Sequence, residues 1–520
     1  MKLVCTLSFA LITLLSVAQN NAVTNTAFFE GEPYLAVNPN NSQQLTAAWM
    51  SPQLGQNIVI KTSTSTNGGT TWTTPVWLAH EVSGNTSADV SLQYASNGDL
   101  FICYIDYNSS TFATGQIMVR KSTNNGVSWG PAVEATSIAD CPNKLCLDRP
   151  WMAIDRSGGP NDGAIYVTSM NADQPTLITP PYNPYLSVST DGGASFAPPR
   201  FIDTLGYYAG NTITQPMPSP TVDANGTFYA AYPSYDVGQS PFAHIYLAES
   251  ANAGTTIDHS NAYTVLIPGS SNSLAKKGSL LIADPSAPKH LAMLFVGDPN
   301  GDGGDILFME TFDAITWSTP TQLNEDPTGR LQDLVWANFN EDGDLAVCWR
   351  DRRNASSSGY QTETEIYGTI RFKDSVNFEP NFPVSSQQVA HAAILEGSGN
   401  DFMNVQFVGD TLYSIWGDVR TGTLNIFINR MDVTNGTSSI SEIAQETNNL
   451  TIYPNPAISE ITIDHFEDYK DLKLLDAHGR FIRSIDASML TINDLSPGNY
   501  FIQFSLNGKN FMASFLKSQP

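Results

Sequence analysis

The chain repeats itself about every 60 residues, and this period constrains the fold more than any other feature. The run "NIVIKTS" (57–63) returns as "QIMVRKS" (116–122), "YLSVS" (185–189), "HIYLAES" (244–250), "DILFMET" (305–311), "EIYGTIR" (365–371) and "NIFINRM" (425–431). Aligned on Ile58, Ile117, Leu186, Ile245, Ile306, Ile366 and Ile426, the copies are 59, 69, 59, 61, 60 and 60 residues apart. Two strand-like runs precede each copy, for example "PWMAIDR" and "AIYVTSM", or "LVWANFN" and "LAVCWRD". Tight turns such as "NGT" (225–227) and "DGD" (342–344) join several of these pairs, which is hairpin chemistry. A fourth run follows, as in "PVWLAHEV" (75–82). Four antiparallel strands repeated radially make an all-β propeller. Seven copies predict seven blades, with six blades and an accessory unit as the alternative. The last copy lacks a clear fourth strand, and residues 22–30 are expected to supply it and close the ring, which removes exposed sheet edges.

The ends and the charge bound the setting. "MKLVCTLSFALITLLSVAQN" has a lysine start, an apolar run and a small-x-small site at "SVA" (16–18), so residues 1–18 are expected to be a secretory signal peptide. The run is too short for a transmembrane anchor, and no other segment could span a bilayer. The net charge of −25 would repel nucleic acid and anionic membranes. Cys141 and Cys146 flank "PNKL" and could close a small loop in an oxidising compartment, while Cys103 and Cys348 lie in strand-like runs as buried thiols.

The turn after the third strand has the form S-x-[D/N]-x-G-x-x-[W/F]. It is filled by Ser65, Asn67, Gly69 and Trp72, then by Ser122, Asn124, Gly126 and Trp129, then by Ser189, Asp191, Gly193 and Phe196. A weaker copy uses Ser250, Asn252, Gly254 and Ile257, and degenerate copies keep Trp317 and Phe378. The Asn/Asp side chain can bond its own turn, the glycine allows a positive φ, and the aromatic packs between strands. This resembles the Asp-box, or bacterial neuraminidase repeat, of the sialidase superfamily, over roughly residues 30–440. The resemblance implies a structural clip facing away from any active site.

The mouth of the channel is the place for chemistry. First strands begin with Glu32, Asp89, Arg149, Gln215, Lys277, Asp333 and Asp401, and second strands end near Asp106, Asp351, Arg353, Asp418 and Arg420. The candidate catalytic set is therefore Arg149, Asp351, Arg353, Asp418, Arg420 and Glu32; the candidate ligand-binding set is Asp89, Gln215, Asp333, Asp401 and Trp151. Arginines can grip a carboxylate in parallel hydrogen bonds, and crowded carboxylates do acid–base work. The two W-x-D-x-R copies, Trp349–Arg353 and Trp416–Arg420, also read as structural ion pairs. Sialidases use three arginines, a tyrosine nucleophile with a glutamate, and an aspartate acid/base. Here "FFEGEPYLAV" puts Glu32 where their first arginine is wanted. Arg149, Arg353 and Arg420 are the available triad, and Tyr34, Tyr104, Tyr107 and Tyr367 the available nucleophiles. The resemblance implies a partner among extracellular glycans or glycoproteins, either hydrolysed as a sialoside or bound without turnover. No cofactor is required. "DPNGDGGD" (298–305) places Asp298, Asn300 and Asp302 like the start of a Ca2+ loop, but the distal glutamate of such a loop is absent, which favours a plain surface turn over a Ca2+ site.

After residue 435 the pattern stops. Residues 436–449 read as a polar linker, and 450–520 as a small Ig-like β-sandwich. "YPNP", Gly479-Arg480, "LSPGNY" and a terminal lysine resemble the type A C-terminal sorting domain of type IX secretion. That resemblance implies the type IX machinery as a partner, with a secreted or cell-surface destination.

Overall fold

The computed structural model describes residues 20–174, 176–203, 215–234, 244–264, 279–297, 304–391, 401–433, 450, 452–475, 481–506 and 509–518. The expected signal peptide, the linker and the Asp298, Asn300 and Asp302 loop fall outside the described residues, as does Lys277. The chain divides into two compact units, residues 1–439 and 440–520.

The first unit is a β-propeller. Its described residues form seven four-stranded antiparallel sheets. Their innermost strands are Gly31–Asn38, Thr86–Tyr94, Asp148–Ile154, Ser219–Val222, Ser279–Ala283, Asp333–Phe339 and Asn404–Val408. Each neighbours the next, and the last neighbours the first, so the ring is closed. The outer strand of the seventh sheet comes from the other end of the unit. Asn20–Ala22 pairs with Asn425–Asp432, in the register Asn20↔Asn429 and Ala22↔Phe427. The closing strand thus lies just before the segment expected from sequence. Residues 23–30 instead lead into the first sheet, held by Val23 N–H to Ile426 O at 2.8 Å and Glu30 N–H to Leu424 O at 3.0 Å.

Inner and middle strands are apolar on both faces because each sheet packs against two neighbours. Between the third and fourth sheets, for example, Tyr166, Leu186 and Ile202 meet Phe228, Tyr232 and Tyr246. The Ser-x-Asn/Asp turns fasten these interfaces from one side. Ser122 Oγ accepts the Gly126 N–H at 2.9 Å and donates to Asn124 Oδ1 at 2.8 Å, while Asn124 Oδ1 accepts the Ser128 N–H at 3.0 Å. The same bonds recur at Ser65, Ser189 and Ser250. Gly126 has φ +79, and a Cβ there would lie 2.7 Å from Thr46 Cγ2 of the preceding sheet. Trp129 Nε1 reaches the same sheet at Thr62 Oγ1, 3.1 Å away. Gly126→Ala should therefore lose about 2–4 kcal/mol, the sum of a left-handed backbone and an overpacked contact. Urea unfolding followed by tryptophan fluorescence measures this cleanly, because all nine tryptophans precede residue 440.

Cys141 and Cys146 form a disulfide, and Cys103 and Cys348 are buried thiols. The second unit has a three-stranded and a four-stranded sheet around Ile461, Ile463, Leu474, Ile502, Phe504 and Phe515, a small β-sandwich. Among the described residues no helix is long and apolar enough to cross a membrane.

Candidate functional site

Four of the seven inner strands begin with the same distortion. Register shifts fall between Gly31 and Tyr34, Ala88 and Ser91, Asp148 and Trp151, and Asp333 and Trp336. Inside each bulge one non-glycine residue takes a left-handed backbone: Glu32 (φ 54), Asp89 (φ 52), Arg149 (φ 51) and Leu334 (φ 56). Each such residue costs about 1–3 kcal/mol, and strain of this kind gathers at functional sites. Here three of the four bulged residues, Glu32, Asp89 and Arg149, are charged and gather at one end of the central channel.

Arg149 is the centre of that end. Its Nη2 donates to Asp401 Oδ2 at 2.6 Å, and its backbone N–H donates to Asp89 Oδ2 at 3.0 Å. The guanidinium lies 4.6 Å from the centre of the Phe402 ring. Gln215 Nε2 donates to Asp148 Oδ2 at 2.8 Å beside it. Burial opposes the Arg149 charge, but Asp401, Asp148, Asp89 and Glu32 outweigh that opposition and hold its pKa above the ordinary arginine value. Glu32 behaves in the opposite way. It is 4% exposed. Burial first, then the charges of Asp401 and Asp89 and a hydrogen bond with Asp401, push its carboxyl well above the usual range, with Arg149 opposing. Burial and the neighbouring carboxylates thus both favour the protonated form of Glu32. The Asp401 side chain, 35% exposed, is the member that faces solvent.

A second cluster stands beside the first. Arg350 grips Asp333 with Nε and Nη2 at 2.7 Å each, and Arg352 Nη1 adds a third contact at 3.1 Å. Burial would raise the Asp333 pKa, but the two guanidiniums hold it far below the carboxylate range. Tyr360 lies against both arginines. Beneath these groups Trp151 packs on Phe402 (4.9 Å between ring centres) and on Trp336 (5.4 Å), and Tyr34 on Trp336 (5.7 Å). Arg149, Trp151, Asp333, Arg350, Asp401 and Phe402 line one cavity of about 890 Å³.

The structure therefore brings Glu32, Asp89, Arg149, Trp151, Asp401 and, through Asp148, Gln215 together, with Asp333 on the same cavity. It does not bring Asp351, Arg353, Asp418 and Arg420 to them, and none of these four lines the cavity. Each pair closes on itself. Asp351 accepts the Trp349 indole (2.8 Å), the Arg353 N–H (2.7 Å) and Arg353 Nη2 (2.8 Å). Asp418 accepts the Trp416 indole (3.1 Å), the Arg420 N–H (2.8 Å) and Arg420 Nη2 (2.6 Å). Both carboxylates are used up, so the W-x-D-x-R copies are clips at strand ends. The expected triad does not form either: Arg149, Arg353 and Arg420 end on three different carboxylates. Of the four tyrosines only Tyr34 lines the cavity, and burial raises its pKa. Among the described residues no group of His, Cys, Asp and Glu is arranged to hold a metal ion.

Sequence reasoning missed Arg350, Arg352, Tyr360, Trp336 and Phe402. One signal was available. In "WRDRR" side chains alternate across the strand, so Trp349, Asp351 and Arg353 share one face and leave Arg350 and Arg352 on the other.

Comparison with known proteins adds the following. The model of the secretion system C-terminal sorting domain matches residues 451–517. No curated protein sequence matches the chain. Among solved structures, similar ones include a protein of unknown function from Dyadobacter fermentans DSM 18053 (14% identity, TM-score 0.41, covering 68% of this chain and 98% of that one). Another is an α-L-arabinanase from Penicillium chrysogenum complexed with arabinobiose (14%, 0.43, 79% and 98%). A third is a sialidase from Streptococcus pneumoniae (12%, 0.42, 81% and 72%). The sorting domain marks the chain as one that is secreted or carried to the cell surface.

Proposed function

We propose that the bulged end of the channel is a glycan site, and that the sugar it takes is neutral or positively charged. The observation that carries this reading is the environment of Arg149. Four acidic groups surround this one guanidinium, and Asp401 already closes it. An anionic sugar would meet net negative charge and no open arginine. A neutral or amino sugar would find Asp401 as acceptor and Trp151 and Phe402 in the cavity wall, the mixture of apolar surface and a few polar groups that ligand pockets share.

A second reading, hydrolysis, is favoured by the hydrogen-bonded carboxyls of Glu32 and Asp401, of which burial and neighbouring charge hold Glu32 toward its protonated form. The pair would act as one acid. In this reading the pair holds one proton, which Asp401 passes to the leaving glycosidic oxygen as the C–O bond breaks. The pair, now doubly negative, stabilises the sugar cation. Attacking water forms the new C–O bond and returns a proton to the pair.

A panel of neutral, amino and sialylated glycans tests both readings, with bound glycan and released sugar measured together. Neutral or amino glycans should be retained over sialylated ones, and Asp401→Asn should weaken retention about tenfold or more, the scale of one charged hydrogen bond. Preferential capture or cleavage of sialylated glycans would overturn the charge argument. Release of free sugar by the parent and none by Asp401→Asn would establish hydrolysis.

A further inference from the structure

The cavity does not end at the charged mouth. Three inner strands line it over most of their length: residues 149 and 151–154 of Asp148–Ile154, all of Asp333–Phe339, and residues 406–408 of Asn404–Val408 with 401–403 before them. A strand such as Asp333–Phe339 spans roughly 20 Å, so the cavity follows the channel through the propeller. Its volume of about 890 Å³ lies near the top of the range that drug-sized ligands occupy, which is more than one sugar ring fills.

The charges stop at the two ends. Arg149, Asp333, Arg350 and Asp401 stand at the mouth, while Arg156, Asp223 and Glu341 follow the last residues of their inner strands. Between these ends the wall is neutral and two-sided. The fourth and fifth sheets contribute Val222, Leu280 and Ile282; the sixth, seventh, first and second contribute Asn338, Gln406, Tyr34 and Gln93. The three amides are half-buried. Asn338 Oδ1 accepts the Phe407 N–H at 3.3 Å, which leaves its amide nitrogen unbonded among the described residues. Gln406 meets Asn404 at 3.1 Å with one end of its amide, and the other end has no partner among the described residues. Side-chain hydrogen bonds join Tyr34 to Gln93 and Asn404 and so fix this side of the wall. Amides facing an aliphatic surface match a sugar ring, which carries hydroxyls at its edge and C–H groups on its face. A charged ring would find no partner in this stretch, and burying an unpaired charge is costly.

We propose, building on the glycan reading of the mouth, that the channel is a run of further sugar subsites, so that the preferred ligand is an unbranched neutral oligosaccharide entering end-on.

Isothermal titration of the full chain with glucose, galactose and mannose, each as the free sugar and as unbranched chains of two to four rings, tests it. In at least one series affinity should rise about tenfold or more from one ring to three, the scale of two added hydrogen bonds. Asn338→Leu, which removes an amide, should cut that gain about threefold or more. Ile282→Phe, which narrows the apolar side, should cut it as well and serves where Asn338→Leu does not fold. Binding of free sugars with no gain for chains, or a gain that a folded variant leaves intact, would overturn the proposal alone. Binding by no sugar of any length would overturn the glycan reading of the mouth along with it.

Discussion

Asp333→Ala should destabilise the propeller by about 3–5 kcal/mol, the range for removing one member of a buried ion pair. Asp333 is 4% exposed, and it is the shared partner of Arg350 (5%) and Arg352 (1%). Alanine would leave both guanidiniums buried, with only Tyr360 and the carbonyls of Tyr360 and Leu331 as acceptors. The large effect comes from that orphaned charge and says little about what the intact triad contributes. Asp333→Asn separates charge from volume. Asparagine fills the space but turns an amide donor toward a guanidinium, so its stability should lie close to that of the alanine variant. Urea unfolding read by tryptophan fluorescence gives both numbers. Near-parent stability for Asp333→Asn would mean that packing, not charge, holds this corner. The contribution depends on ionised Asp333, whose folded pKa is depressed. It is present above the unfolded carboxylate pKa and is lost as pH falls through the folded one.

The propeller was legible because its signals are local. Alternating strands, two-residue turns and the Ser-x-Asn/Asp-x-Gly clip each act within a few residues, so each writes a pattern that returns with every blade. The channel end was legible only in part. Arg149 and Glu32 stand out as charges at the start of apolar strands, and the structure places both in the charged cluster at that end. Their left-handed backbones leave no mark, because glycine, the usual sign of positive φ, is absent from all four bulged positions. The pairing of Arg149 with Asp401 joins residues 252 apart, and only closure of the ring brings them together. The W-x-D-x-R copies misled for a related reason. A carboxylate beside an arginine looks the same in sequence whether the two share a ligand or consume each other. The deciding fact, an indole two residues earlier on the same face, becomes informative only once strand alternation is applied to that segment.

Glu310→Gln probes a third ionic cluster, which joins the fifth and sixth sheets. His290 lies between Asp284 (Nδ1–Oδ2 2.8 Å) and Glu310 (Nε2–Oε2 3.1 Å) and stacks on Phe312 at 4.4 Å. Arg371 of the sixth sheet grips Glu310 with both nitrogens at 2.8 and 2.6 Å. Burial would raise the Glu310 pKa, but the bonds from His290 and Arg371 win and hold it at about 2, against an ordinary 4.5. That depression corresponds to about 3 kcal/mol, and solvent screening of this partly exposed group brings the expected loss to about 2 kcal/mol at pH 7. A depressed carboxylate stabilises above its unfolded pKa and loses that contribution as pH falls through its folded one. The deficit of Glu310→Gln should therefore be full at neutral pH and shrink between pH 4.5 and about 2. His290 has the opposite sign. Burial lowers its pKa, but the bonds to Asp284 and Glu310 raise it above 6.5, so its contribution is present in acid and fades as pH rises through the folded value. In the variant His290 loses one of its two carboxylates, so its pKa should fall. NMR titration of the His290 ring in parent and variant reads this directly. An unchanged His290 pKa, or a deficit that persists undiminished at pH 2, would mean that the cluster is held by the Phe312 and Phe339 rings rather than by charge.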